Sequence, residues 1–151
     1  MGKPKRILVI CTGNSCRSVM AKGFLKKFLA GREVIVMSAG VSAIPGFRPT
    51  QETIDVMAKE GIDISGHLSQ RLTPEMVHQA DLILVMEYWH KEQVLRLSPS
   101  AKSKVFLLKE YAGTGQGTDL EIPDPIAKPL EVYDACLRMI RESIEKVVAK
   151  L

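Results

Sequence analysis

The sequence predicts an α/β fold: a parallel sheet of four strands with helices on both faces and the chemistry concentrated in the loop after the first strand. Three observations lead there. Four short apolar runs, at residues 6–10, 34–39, 82–86 and 105–108, are continuous rather than alternating, as expected of strands covered on both sides. Helical patterns fall between them, and strands alternating with helices imply right-handed crossovers and a doubly wound sheet. The chain has 151 residues, 46% of them hydrophobic, enough for one domain spanning 1–151 with a real core.

After the opening strand, Met20, Phe24, Leu25 and Phe28 recur at helical spacing. Lys22, Lys26 and Lys27 fall mostly on the other side, which reads as a solvated face. The second helix fits residues 50–60, with Ile54, Met57 and Ala58 inward and Gly61 as its C-terminal cap. Another helix fits within 88–97. The last begins near Pro129 and carries Val132, Cys136, Met139, Ile140, Ser143, Val147 and Leu151 as a stripe, so Cys136 reads as a small buried hydrophobe. Before it, "YAGTGQGTDLEIPDP" at 111–125 is rich in glycine and proline. A loop of that length is expected to serve as a mobile active-site flap. Gly113, Gly115 and Gly117 lack the strand, turn and helix context of a dinucleotide site.

Composition narrows the function. A net charge of +4 on scattered basic residues gives little support for nucleic acid and suits a small anionic substrate. No signal peptide or membrane-length apolar run is legible, so neither a membrane nor a nucleic-acid partner is expected, and the location expected is the cytoplasm. There Cys11, Cys16 and Cys136 are reduced thiols. Their spacing from His67, His78 and His90 does not match a zinc site, and no metal is expected.

The stretch "ILVICTGNSCRS" at 7–18 ends a buried strand abruptly in the pattern Cys-x5-Arg-Ser. Between a strand and a helix, successive backbone N–H groups can curl around an anion, and the helix N-terminus adds partial positive charge. Gly13 permits the curve and Asn14 tolerates left-handed backbone. Arg17 offers a planar fork for two phosphate oxygens. The same field favours a thiolate at Cys11, and the Ser18 hydroxyl can donate to it. Thr12, Gly13, Asn14, Ser15, Cys16 and Ser18 thus form a phosphate-binding loop in front of a nucleophile. Cys11 attacks phosphorus, while Arg17 and the loop amides hold the equatorial oxygens. The leaving group needs a proton, and Asp124, in "IPDP", is the best placed donor; a plain turn aspartate beside proline is the equal alternative.

With these residues in hand, the chain resembles a low-molecular-weight protein tyrosine phosphatase. The motifs are "VICTGNSCRS", "SAG" at 38–40, "DLILVM" at 81–86, "KVFLLKEYAG" at 104–113 and the "DP" at 124–125. The first is highly specific and the others supportive. The resemblance implies a four-stranded parallel sheet and a phosphocysteine intermediate without cofactor. It implies a phosphorylated protein as substrate and inorganic phosphate as product and competing ligand. It assigns nucleophile, phosphate binder and general acid to Cys11, Arg17 and Asp124, with loop support from Asn14, Ser18, Ser38 and His67. It also implies that Cys16 can pair reversibly with Cys11 and shield it from irreversible oxidation.

The departures bear on substrate. Phosphotyrosine-specific members usually follow the DP with two aromatics, where this chain has Ile126 and Ala127, and the wall position at Ile44 is aliphatic. Val19 stands where the family usually has proline. A branch that dephosphorylates arginine carries threonine at the position of Ser15 and resembles "HKEQ" and "KVFLLKEY". Thioredoxin-coupled arsenate reductases share the first loop but need cysteines that "DLILVMEYWHKEQ" lacks. Phosphotyrosine hydrolysis is the leading expectation and arginine dephosphorylation the second. A phosphate-binding module without turnover is disfavoured by Cys11, Arg17 and Asp124 occurring together.

Overall fold

The structure is a computed structural model that describes residues 5–115, 117 and 119–151. Strands β1 (Lys5–Cys11), β2 (Val34–Gly40), β3 (Leu82–Val85) and β4 (Val105–Leu107) form one sheet in the order β2-β1-β3-β4, every pair parallel. Along β1, Ile7, Val9 and Cys11 join one core with Phe24, Leu84, Tyr133 and Ile140, while Leu8 and Ile10 join a second with Ile83, Val77 and Val94. Both faces are covered, so alternate residues are apolar for two separate reasons and the run reads as continuous.

Helices α1 (Arg17–Phe28), α2 (Gln51–Lys59), α5 (Leu108–Ala112) and α6 (Leu130–Ala149) supply the first core. Helices α3 (Pro74–Gln79) and α4 (Tyr88–Leu97) supply the second. From β1 the chain passes to β2 on one side and later to β3 on the other, so the order reverses at the carboxyl end of β1. In open parallel sheets ligands bind at that switch point. Cys11 is the last residue of the strand.

Five readings change. Leu108 starts α5 rather than ending β4, and β3 stops at Val85, one residue short of the predicted run. Tyr111 and Ala112 close α5 instead of opening the long loop, and Gly113, at φ 74, caps that helix. The short α3 was not expected, although Thr73 accepts from the Met76 N–H as N-cap and Pro74 sits in the first turn. The buried stripe of α6 is Tyr133, Cys136, Leu137, Ile140, Ser143, Ile144 and Val147; Val132 is exposed. Gly61 does follow α2, at φ 76.

Candidate active site

The chain leaves β1 at Cys11, curls through residues 12–16 and enters α1 at Arg17. Asn14 takes a left-handed φ of 53 at the tightest point, a conformation its short amide side chain tolerates. Gly40, at the end of β2, lies against the loop: a Cβ there would stand 2.5 Å from the Thr12 carbonyl oxygen and 2.8 Å from the Asn14 nitrogen. Backbone bonds from Val41 to Cys11 O and from Ser42 to Thr12 O, each 3.0 Å, lock the two segments together.

Asn14 organises the interior of the curl. Its Nδ2 donates to Ser18 Oγ at 2.8 Å and to Ser38 Oγ at 3.0 Å, and its Oδ1 accepts the Gln70 N–H at 2.9 Å. His67 Nε2 reaches the Asn14 carbonyl at 3.1 Å. Because a carbonyl only accepts, this His67 nitrogen carries a proton. Ser18 Oγ receives the Asn14 amide, so its own proton is free to donate to Cys11 Sγ, 3.0 Å away. All the predicted loop supports, Asn14, Ser18, Ser38 and His67, therefore meet in one connected set.

Arg17 is buried to 1% exposure and is held by several elements. Nη1 donates to Glu87 Oε2 at 2.5 Å and to the Ile122 carbonyl at 2.8 Å; Nη2 donates to Thr12 Oγ1 at 3.1 Å. Asp124 Oδ2 lies 3.5 Å from Nη2. Burial opposes the charge of the guanidinium, but negative charge at Cys11, Glu87 and Asp124 prevails, and its pKa is raised. The Nε–H has no protein partner among the described residues.

Glu87 and His90 were not singled out from the sequence. His90 Nδ1 accepts the Glu87 N–H at 3.1 Å, which leaves the ring proton on Nε2, directed at Thr12 Oγ1 at 2.9 Å. Burial, and secondarily Arg17, push its pKa down to about 3, so the ring is neutral. Thr12 thus accepts from both His90 and Arg17 and keeps its own proton to donate. Glu87 lies two residues past the end of β3, at the carboxyl edge of a parallel sheet, and His90 lies one helical turn on; that placement is the signal that could have found them.

Asp124 sits in the loop between α5 and α6, where its Oδ1 accepts the Ile126 N–H at 3.1 Å. The loop is anchored just before it: Ile122 is fully buried, donates to Met86 O at 2.9 Å and accepts from Arg17. Ile44 and Ile126, the expected pocket walls, are 68% and 51% exposed. Cys16 is buried at the head of α1; the neighbouring Cys136 thiol and burial push its thiol pKa strongly upward. All three cysteines are free. Among the described residues no three of His, Cys, Asp and Glu gather as a metal site, and no helix is long and apolar enough to cross a membrane.

A probable low molecular weight protein-tyrosine-phosphatase, EpsP, of Ralstonia nicotianae is 39% identical over 147 residues, 97% of this chain and 96% of its own. A protein-arginine-phosphatase of Geobacillus stearothermophilus is likewise 39% identical, over 149 residues, 98% of this chain and 97% of its own. A solved YwlE arginine phosphatase, a cysteine-to-serine mutant with a phosphorylated active-site serine, superposes with a TM-score of 0.89 at 31% identity, covering 97% of this chain and 95% of that one. The sequence model of the low molecular weight phosphotyrosine protein phosphatases matches residues 6–151. The chain belongs to that family of cysteine-dependent phosphatases.

Proposed function

We propose that the protein hydrolyses phosphotyrosine in proteins through a phosphocysteine intermediate, with Cys11 as nucleophile, Arg17 as phosphate binder and Asp124 as general acid. The observation that carries this is the arrangement around Arg17. Its Nη1 is held by Glu87 and Ile122 and its Nη2 by Thr12, with Asp124 Oδ2 3.5 Å from Nη2, so the plane of a fork suited to phosphate oxygens is fixed by the protein. Cys11 Sγ, supported by Ser18, and Asp124 belong to the same cluster.

In the first step the Cys11 sulfur attacks phosphorus. The S–P bond forms as the bond to the tyrosyl oxygen breaks, and protonated Asp124 gives its proton to that oxygen. Charge on the equatorial oxygens is held by Arg17 and the loop amides, which are already oriented and need no rearrangement. In the second step Asp124, now a carboxylate, takes a proton from water as the water oxygen bonds to phosphorus. The S–P bond breaks, giving inorganic phosphate and the thiolate. The phosphorylated active-site serine of the YwlE mutant supports transfer to this kind of position. Neutral His90 and the Asn14 set act as positioning groups. We assign the cytoplasm as its location, consistent with three unpaired thiols.

A second reading, dephosphorylation of arginine, is favoured by the aliphatic Ile44 and Ile126 and by a protein-arginine-phosphatase matching as closely as EpsP does. Comparing kcat/KM on matched phosphotyrosine and phosphoarginine peptides, with Cys11→Ser as blank, separates the two. Preference for phosphotyrosine is expected. Preference for phosphoarginine would move the assignment to the second reading, and an active Cys11→Ser protein would overturn both.

A further inference from the structure

A cavity of about 590 Å³ lies between α1 and residues 61–67, on the outer side of the phosphate loop. Its apolar wall is Val19, Ile62 and Ile64, and its cationic wall is Lys22, Lys26 and Lys27. Val19, Lys22 and Lys26 follow one another at three- and four-residue spacing, so they share a face of α1. The lysines were expected to form a solvated face. Lys22 is instead half-buried, while Lys26 and Lys27 are exposed.

The charges are not balanced from within the protein. Among the described residues no carboxylate approaches these lysines within salt-bridge distance. Lys27 Nζ donates to the Glu60 carbonyl at 2.8 Å, and the one acid lining the cavity, Asp63, accepts the Ser65 N–H at 2.9 Å. Burial, then Lys26, holds the Lys22 pKa down, and the two lysines add to the burial that holds His67 down. Two like charges four residues apart destabilise a helix, and here both line one cavity, where an anion would relieve them. A cavity of this size, apolar with a few convergent charges, has the dimensions of a small-molecule site.

We propose that this cavity binds a small amphipathic polyanion of the size and charge of a nucleoside diphosphate, its anionic end on Lys22 and Lys26 and its apolar body against Val19, Ile62 and Ile64. The occupant would lie one hydrogen bond from the phosphate loop, because His67 lines the cavity and also bonds to the Asn14 carbonyl.

The test is an amide NMR titration of the full chain with ADP as probe, in saturating inorganic phosphate so that the phosphate loop is already occupied. Resonances of 19–27 and 61–67 should move, with adenosine and pyrophosphate each binding at least about tenfold more weakly than ADP. Lys22→Gln with Lys26→Gln should weaken ADP binding by about tenfold or more, while turnover of an aryl phosphate without ADP stays unchanged and reports an intact fold. Unmoved cavity resonances at millimolar ADP would overturn the proposal. So would equal affinity for the double variant, or pyrophosphate or adenosine binding as tightly as ADP.

Discussion

Two loops converge on Arg17, and they are built differently. In the loop after β1, Asn14 spends both donors and its acceptor on Ser18, Ser38 and Gln70, Gly40 abuts the backbone, and His67 holds the Asn14 carbonyl. In the loop after α5, Ile122 is the buried anchor, while Asp124, two residues on, is 37% exposed with one local backbone bond. A group that holds charge in the transition state acts best when already fixed. A group that carries a proton first to a leaving oxygen and then from water needs room to serve both.

The largest effect expected is on the less constrained loop. Asp124→Asn should lower kcat/KM on esters with poor leaving groups by about 10²–10⁴-fold and spare activated aryl phosphates, read from a leaving-group series. Equal losses across the series would remove Asp124 from the acid role. Arg17→Lys should cost about 10²–10³-fold on every substrate, because a point charge replaces a fork that also bonds Glu87, Ile122 and Thr12. A loss confined to one leaving group would break the contrast between the loops.

Stability should separate the loops as well. Asn14→Ala strips partners from Ser18, Ser38 and the Gln70 N–H and should destabilise by about 3 kcal/mol in urea unfolding, with kcat falling too. His90 sharpens the point through pH. Its native pKa of about 3 lies below the unfolded value of 6.5, so the unfolded chain takes up the proton first and stability is lost as pH falls below 6.5. At pH 5 the loss is about 2 kcal/mol. His90→Gln should flatten that part of the stability curve; an unchanged slope would place the titration elsewhere. The smallest effect belongs to Ala127, at φ 61 in the second loop. Ala127→Gly should stabilise by about 0.5–1 kcal/mol, since glycine adopts that backbone without a Cβ penalty.

Much of this was legible in the chain. Continuous apolar runs announced strands buried on two faces, and "CTGNSCRS" between strand and helix announced an anion loop. Ser38 and His67 came only through resemblance, because a brace across 24 or 53 residues leaves no local pattern. Glu87 and His90 were missed because they read as ordinary helix-start polar residues until the sheet brings β3 beside β1. The lysines of α1 followed helical period correctly, but period alone does not reveal that residues 61–67 fold over that face. Leu108 reads as a strand residue in the sequence because an apolar side chain at a strand end and at a helix start look alike.

In the proposed mechanism the phosphoryl group passes through Cys11. Its most direct test is to mix Asp124→Asn with a phosphotyrosine peptide, quench by denaturation at neutral pH within the first turnover and locate the bound phosphate by mass spectrometry. Phosphate is expected on Cys11, and none in a Cys11→Ala control that also fails to turn over. Phosphate on another residue, or turnover by the Cys11→Ala protein at the unsubstituted rate, would contradict it.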